Sequence, residues 1–297
     1  MKQRFTWMLA AIPTLCGITM LTSCSDYEDD TVEVNTMTEI ISYDYFSGGS
    51  TTPISHITYS YDEQGRCIRA EETDASNNIS TTTFTYENGQ ITETEVRYVG
   101  TKEVTYRSTY TLDETGLITS LNYIISSLDD METVTETAYD YDAQGHIIRI
   151  INNLQKSTPD TTFLTWQGGD IVKKEYCSTS EKLTSTSTAK YTYGDVLFQF
   201  CPSDYIELDG LLLRAGYFGT PPVHQLLSRQ YSNVIESATQ TQSIHVTNTF
   251  EYQLDTAGRI ISYTNHETST VNGGVPTEGI DRYNVGWMEF VFPKVKD

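Results

Sequence analysis

From Glu103 to Asp113 the chain alternates without a break. Val104, Tyr106, Ser108, Tyr110 and Leu112 fall on one face, and Glu103, Thr105, Arg107, Thr109, Thr111 and Asp113 on the other. A period of two predicts a β-strand with one buried face. The same period returns along most of the chain, and an apolar pair two residues apart precedes each turn: Tyr59/Tyr61, Phe84/Tyr86, Tyr110/Leu112, Tyr139/Tyr141, Leu164/Trp166, Tyr191/Tyr193 and Tyr252/Leu254. Both members of a pair share a face, so successive hairpins align them in rows across an antiparallel sheet. Amphipathic strands must bury one face, which makes the rows core; a platform for stacking sugars is the alternative.

The turns repeat as well. "YSYDEQGRCI" from Tyr59 returns as "YDYDAQGHII" from Tyr139 and "YQLDTAGRII" from Tyr252. In this phrase Asp opens a type I turn and Gly closes it, as in Asp62/Gly65, Asp113/Gly116, Asp142/Gly145 and Asp255/Gly258. Asp can bond its own backbone two residues on, and Gly takes the left-handed conformation of a bulged three-residue loop. Asn88-Gly89 and Gly168-Gly169 replace the device with two-residue turns of positive φ. The glycines at 65, 89, 116, 145 and 169 lie 24, 27, 29 and 24 residues apart, one hairpin per repeat. The pattern predicts an all-β fold of about 14–17 strands. Open sheets of that size curl, so an up-and-down antiparallel meander of hairpins should form a closed or nearly closed barrel.

The rhythm lapses between Tyr193 and Phe250. Ile206, Leu208, Leu211, Leu212 and Ala215 stand at near-helical spacing, with Ser203 or Asp204 as N-cap and Gly216 or Gly219 with Pro221-Pro222 as stop. A short helical insert at about 203–222 is expected to plug one end of the sheet. A hairpin turning at Asp209-Gly210 is the rival. Strands resume at Ser243–Leu254, Gly258–Ser269 and Arg282–Phe292.

The N-terminus carries different information. Lys2 and Arg4 precede an apolar stretch from Phe5 to Leu21, and the sequence then reads Leu21-Thr22-Ser23-Cys24. A basic start, a short apolar core and small residues mark residues 1–23 as a signal peptide. The "LTSC" ending resembles the bacterial lipobox, which implies that Cys24 is lipidated and becomes the mature N-terminus. Asp26, Glu28, Asp29 and Asp30 make residues 24–35 an acidic tether, leaving 36–297 as a single repeat-built β domain. The acidic run also resembles the export signal of Bacteroides-type surface lipoproteins. That resemblance implies an outer-membrane protein, lipid-anchored at the cell surface, with the periplasmic face as the alternative.

Charge narrows the partners. The formal charge is −21, and losing Lys2 and Arg4 makes it −23. Such a domain repels phosphate backbones and anionic lipid, which argues against nucleic acid and leaves the N-terminal lipid as the one membrane contact. A spanning porin is disfavoured, because stretches such as Ser180–Lys190 and Ile91–Glu95 are too polar to face lipid. After Cys16 and Cys24, only Cys67, Cys177 and Cys201 remain, with no CxxC; a Cys177–Cys201 bridge is the most that they allow, and none is expected.

"YSYDEQGRCIR" and "YDYDAQGHIIR" resemble the YD repeats of Rhs-type and teneurin-type proteins. Together, the lipobox, the 24–29-residue hairpins and the insert resemble more closely the Bacteroides-type lipoproteins that carry a domain of unknown function with porin-like fold. The resemblance covers most of residues 36–297 and implies a porin-like barrel; it supplies no catalytic residues.

Candidate chemistry is thin. His56, His146, His224, His245 and His266 share no metal-ligand spacing, and His146 reads as an exposed hairpin residue; no metal or cofactor is expected. The acidic pairs Asp129-Asp130 and Asp140/Asp142 would suit a glycosidase or calcium, but both sit near turns, where solvated hairpin tips are the expected reading. The chain therefore reads as a non-enzymatic monomeric module that binds a glycan or peptide at an end of the barrel. The alternatives are a carboxylate-dependent hydrolase inside the barrel and a structural or assembly partner of an outer-membrane complex.

Overall fold

A computed structural model describes residues 34–99, 102–126, 132–180, 183–202 and 208–293. Sixteen strands run in order: β1 (Val34–Ser47), β2 (Ser55–Tyr61), β3 (Cys67–Asp74), β4 (Ile79–Glu87), β5 (Gln90–Val99), β6 (Lys102–Leu112), β7 (Ile118–Ser126), β8 (Glu132–Tyr141), β9 (Ile147–Asn152), β10 (Asp160–Gln167), β11 (Asp170–Thr179), β12 (Leu183–Leu197), β13 (His224–Ser237), β14 (Thr241–Leu254), β15 (Ile260–Val271) and β16 (Thr277–Pro293). Each pairs antiparallel with its chain neighbours, and β1 pairs with β16 from Val34↔Pro293 to Ser47↔Asp281, which closes the barrel. The expected up-and-down meander is what forms. β1 opens at Val34, two residues inside the expected tether. Cys24 and the signal segment lie outside the described residues.

The turns follow the sequence. Asp62 Oδ1 accepts from the amides of Gln64 and Arg66, and Asp113, Asp142 and Asp255 repeat the pair of bonds. Asn88, Gly89, Gly168 and Gly169 all have positive φ, as two-residue turns require.

Each Asp-Gly turn is followed by a bulge, so that two residues of one strand face one of the other. Tyr61 pairs with Cys67 and Ser60 with Arg69, which leaves Ile68 extra and turned outward. The same shift recurs at Thr119, Ile148 and Ile261, and also at Ile41, Val172 and Leu227, outside the Asp-Gly turns. A bulge disturbs the ladder locally, and the aromatic rows serve the disturbed carbonyls. Tyr61 Oη donates to Ile40 O (2.6 Å), Tyr86 Oη to Cys67 O (2.8 Å) and Trp166 Nε1 to Ile147 O (2.7 Å). Tyr193 Oη donates to Ile171 O (2.7 Å) and Trp287 Nε1 to Ile260 O (2.8 Å), while Tyr141 and Tyr252 serve Ile118 O and Leu226 O. The repeated phrase is thus a turn, a bulge and a latch onto the preceding hairpin.

The rows face inward, as a core. Phe84, Tyr110, Tyr139, Leu164 and Tyr191 are buried, and Ile91, Ile118, Ile147, Ile171 and Ile260 are fully so. The seventh pair is displaced: Phe250 and Tyr252 are the inward partners, while Leu254 stands at the rim, 44% exposed. The outer wall carries exposed Arg69, Thr83, Thr85, Arg107, Arg149, Lys190, Thr247 and Glu251.

The insert between β12 and β13 folds into one rim. It contains α1 (Gly210–Arg214), so the helix forms rather than the rival hairpin. Ser203 and Asp204 lie outside the described residues, and the N-cap is Asp209, whose carboxylate accepts from Leu212 N at 2.7 Å. Gly216, at φ +83, ends the helix as expected. The plug touches the wall nearly all round. Phe218 meets Tyr110 and Tyr139 edge-on, Phe200 meets Tyr43, and Tyr217 lies by Tyr86. Thr220 N bonds to Gly145 O, Val223 N to Gly169 O, and Gln199 Nε2 to Gly258 O. Arg214 pairs with Glu39 and lies over the Trp287 ring.

Candidate functional site

The plugged rim also carries Val34 and Pro293, the outer ends of β1 and β16. At the opposite rim the connections are hairpin loops of at most seven residues. The lumen is therefore a cup with the plug as its floor. The wall is low at β2, seven residues long, as it is at β9, six residues long, against fifteen in β12 and fourteen in β13 and β14.

Two adjoining cavities occupy the low-walled side. One, of about 390 Å³, is lined by Tyr43, Tyr45, Tyr59, Tyr263 and Tyr283 over a floor of Phe200, Cys201 and Asp209. Its rings are ordered by alternation of β1, β15 and β16. Tyr263 stacks on Tyr283 (4.3 Å, 8°), Tyr283 on Tyr45 (4.9 Å, 19°), and Tyr43 Oη donates to Tyr263 Oη at 2.8 Å. The second cavity, of about 170 Å³, shares Ile57, Tyr59, Glu72, Asp209 and Leu211 with the first and adds Glu93 and Glu95.

Glu72 accepts from Ser55 Oγ (2.6 Å) and Glu93 from Tyr110 Oη (3.1 Å), whereas Glu95 pairs with Arg97. Burial, and then the charge of Asp209, pushes the Glu93 carboxyl up to about 7. Burial likewise raises Asp209, against the amides of Leu212 and Leu211 that stabilise its ionised form. Lone carboxylates in a poorly hydrated wall behave this way. Cys67 is buried and pushed up to about 12, and burial raises Cys201 as well, so neither is a ready nucleophile. Cys67, Cys177 and Cys201 are all unpaired.

The sequence candidates fall elsewhere. Asp142 is the turn cap and Asp140 an outward partner of Arg149, so the solvated-hairpin reading holds for both. Asp129 and Asp130 lie outside the described residues. His146 is half-buried rather than exposed, because it bonds Asp142 (3.0 Å) and stacks on Trp166 (4.4 Å). His56, His224 and His266 each face one carboxylate, of Asp44, Asp170 and Glu251. Among the described residues, no group of three or more His, Cys, Asp or Glu could hold a metal ion. Sequence reasoning missed Glu72, Glu93 and Asp209 as a group. Their inward alternation was the available signal, but their convergence depends on where the plug lies.

The sixteen-strand closure and this repeat have a counterpart among family models: the one described as "Domain of unknown function (DUF4595) with porin-like fold" matches residues 59–262. The chain belongs to that family. A crystal structure of a porin-like protein from Bacteroides uniformis aligns with this DUF4595 chain at a TM-score of 0.55 and 15% identity, covering 84% of this chain and 96% of the other. A second, of a porin-like protein from Bacteroides vulgatus, gives 0.48 and 14%, covering 83% and 97%. The first likeness is one of fold alone. No curated protein matches the DUF4595 chain.

Proposed function

We propose that this chain is a lipoprotein anchored to the outer membrane through Cys24, facing the cell surface, whose cup-shaped barrel is a binding module for a glycan or peptide. One observation carries the reading: the insert floors the lumen at one rim, so the barrel is built to hold a ligand rather than to pass one. Loops and concave sites on rigid scaffolds are where ligands bind. The outer wall supports the water-exposed part of the reading, since Arg69, Arg107, Arg149, Lys190 and Glu251 face outward from it. Charged residues facing lipid cost about 2–4 kcal/mol each near the midplane.

The anchor also sets an orientation. Nine residues lie between Cys24 and Val34, and an extended chain over those ten residue steps spans no more than about 35 Å. The lipid would hold the plugged rim toward the membrane and the mouth of the cup away from it. Glycan-array and peptide-library screening of the mature chain tests the binding reading, and silence across both would sink it. Detergent partitioning of the wild type against Cys24→Ala, with protease shaving of intact cells, tests the anchor and the face. A wild-type chain that stays aqueous would overturn the lipoprotein reading.

A second reading has one observation behind it. Glu93 and Asp209 line the same cavity and both are raised, and a carboxylate-dependent hydrolase needs one protonated acid beside an ionised partner. Chromogenic glycosides that are cleaved by the wild type and not by Glu93→Gln would establish it; no cleavage by the wild type removes it.

A further inference from the structure

The tyrosine-walled chamber has a charge problem that its own residues leave open. Glu72 and Asp209 face it, Glu93 faces the adjoining smaller cavity that both of them also line, and among the described residues none of the three forms an ion pair with Lys, Arg or His. The nearby cations are otherwise engaged: Arg97 with Glu95, and Arg214 with Glu39, the carbonyl of Thr38 and the Trp287 ring. Meanwhile Tyr43, Tyr45, Tyr59, Tyr263 and Tyr283 line the larger of the two spaces, beside Glu72 and Asp209. Aromatic faces attract cations through the ring quadrupole, most strongly where water is excluded. Carboxylates beside such rings add the counter-charge.

We propose that this chamber binds an organic cation, an alkylammonium or guanidinium group of amino-acid side-chain size, between the tyrosine wall and Glu72, Glu93 and Asp209. The inference rests on the binding-module reading and narrows it to basic peptides, whose Lys or Arg side chains carry such a group on a slender stem. Entry is over the low wall: Ser55 and Tyr45 are paired at the last rung before the β1–β2 loop, and both line the cavity. A cavity of about 390 Å³ takes a side chain with part of its backbone and excludes a folded partner. An anionic ligand would meet uncompensated carboxylates. A neutral sugar would stack and accept or donate hydrogen bonds, yet leave the charges as they are.

The test is titration calorimetry on the purified mature chain at pH 8, with butylammonium, Nα-acetyl-arginine amide and a Lys-containing tripeptide as cationic probes. Butanol and a neutral hexose serve as controls, and a glucosamine oligomer tests the glycan source of the same ammonium. Saturable binding of the cations is expected, with mutual competition, tightest for the peptide. Glu93→Gln and Glu72→Gln should each weaken it about tenfold or more, and Tyr283→Ala by a similar factor. Thermal melts confirm that each variant is folded; Glu93→Gln is expected to be at least as stable as the wild type. No saturable cation binding, or unchanged affinity in both Gln variants, overturns the proposal. A tighter glucosamine oligomer than peptide overturns the peptide assignment. Neutral glycan hits without cation binding would sink this inference while leaving the module reading intact, and cation binding with silent arrays would do the reverse.

Discussion

Tyr141 shows what a single inward aromatic does in this barrel. Its ring belongs to the core row, and its hydroxyl donates to Ile118 O beside the outward bulge residue Thr119. Tyr141→Phe keeps the ring and strands the carbonyl, so it should cost about 1–2 kcal/mol in urea melts. Tyr110 is nearly buried, edge-on to Phe218 of the plug, and bonded to Glu93. Tyr110→Ala should cost about 3–5 kcal/mol, as for other large core aromatics. Thr109→Ala, on the outer face of the same strand, should cost under about 1 kcal/mol. Equal small losses at the two positions would mean that the row does not carry the core. The spacing of these aromatics was legible in the sequence because alternation assigns faces directly. The latches were not. Their acceptors are backbone carbonyls on another hairpin, and a carbonyl has no letter of its own.

At the scale of elements, the hairpin turn is the most legible unit, and its carboxylate makes a prediction about acid. The Asp255 carboxyl is held below the usual carboxylate range, first by the backbone amide of Arg259, with the Arg259 side chain and the Ala257 amide adding to it. A folded-state value below the unfolded one gives stability that is fully present above about pH 4 and is lost as pH falls through the folded value. The advantage of wild type over Asp255→Ala should therefore be constant from pH 5 to 7 and shrink below about pH 4. Denaturant midpoints of the two chains measured side by side check it, and a gap that does not narrow in acid would mean that the turn is held by Gly258 alone. The insert was half legible. Its apolar clustering announced a short helix and a plug, and both form. Its start was misplaced because Asp209, next to a glycine, resembles a hairpin turn. In the fold, the same carboxylate finds the amide of Leu212 and caps the helix instead.

At the scale of the whole molecule, the strand count follows from the repeat, but the closing seam does not, because β1 and β16 lie outside the repeated phrase and find one another only in three dimensions. The lumen they complete buries Glu93 of β5 beside Asp209 of the plug, and burial, with the Asp209 charge second to it, sets how Glu93 responds to pH. Glu93 also faces Glu95, Tyr110 and Ser108, with burial the largest influence on it. Its folded value of about 7 lies above the unfolded value near 4.5, so between those two the folded state holds the extra proton. Stability should then be fully present below about pH 4.5 and fall as pH rises toward 7, by on the order of 3 kcal/mol. The turn aspartates act in the opposite sense below about pH 4. The two effects leave a maximum near pH 4.5–5. A formal charge of −21 adds general repulsion as carboxylates ionise, which also lowers stability with rising pH. Glu93→Gln separates the two contributions, since it removes one local titration and hardly alters the total charge. Urea melts at pH 5, 6, 7 and 8 should show the wild type declining, with the variant declining much less and overtaking it at pH 7 and above. Parallel profiles for the two chains would mean that the carboxyl of Glu93 is hydrated through the mouth of the cup, and that repulsion across the whole barrel accounts for the decline.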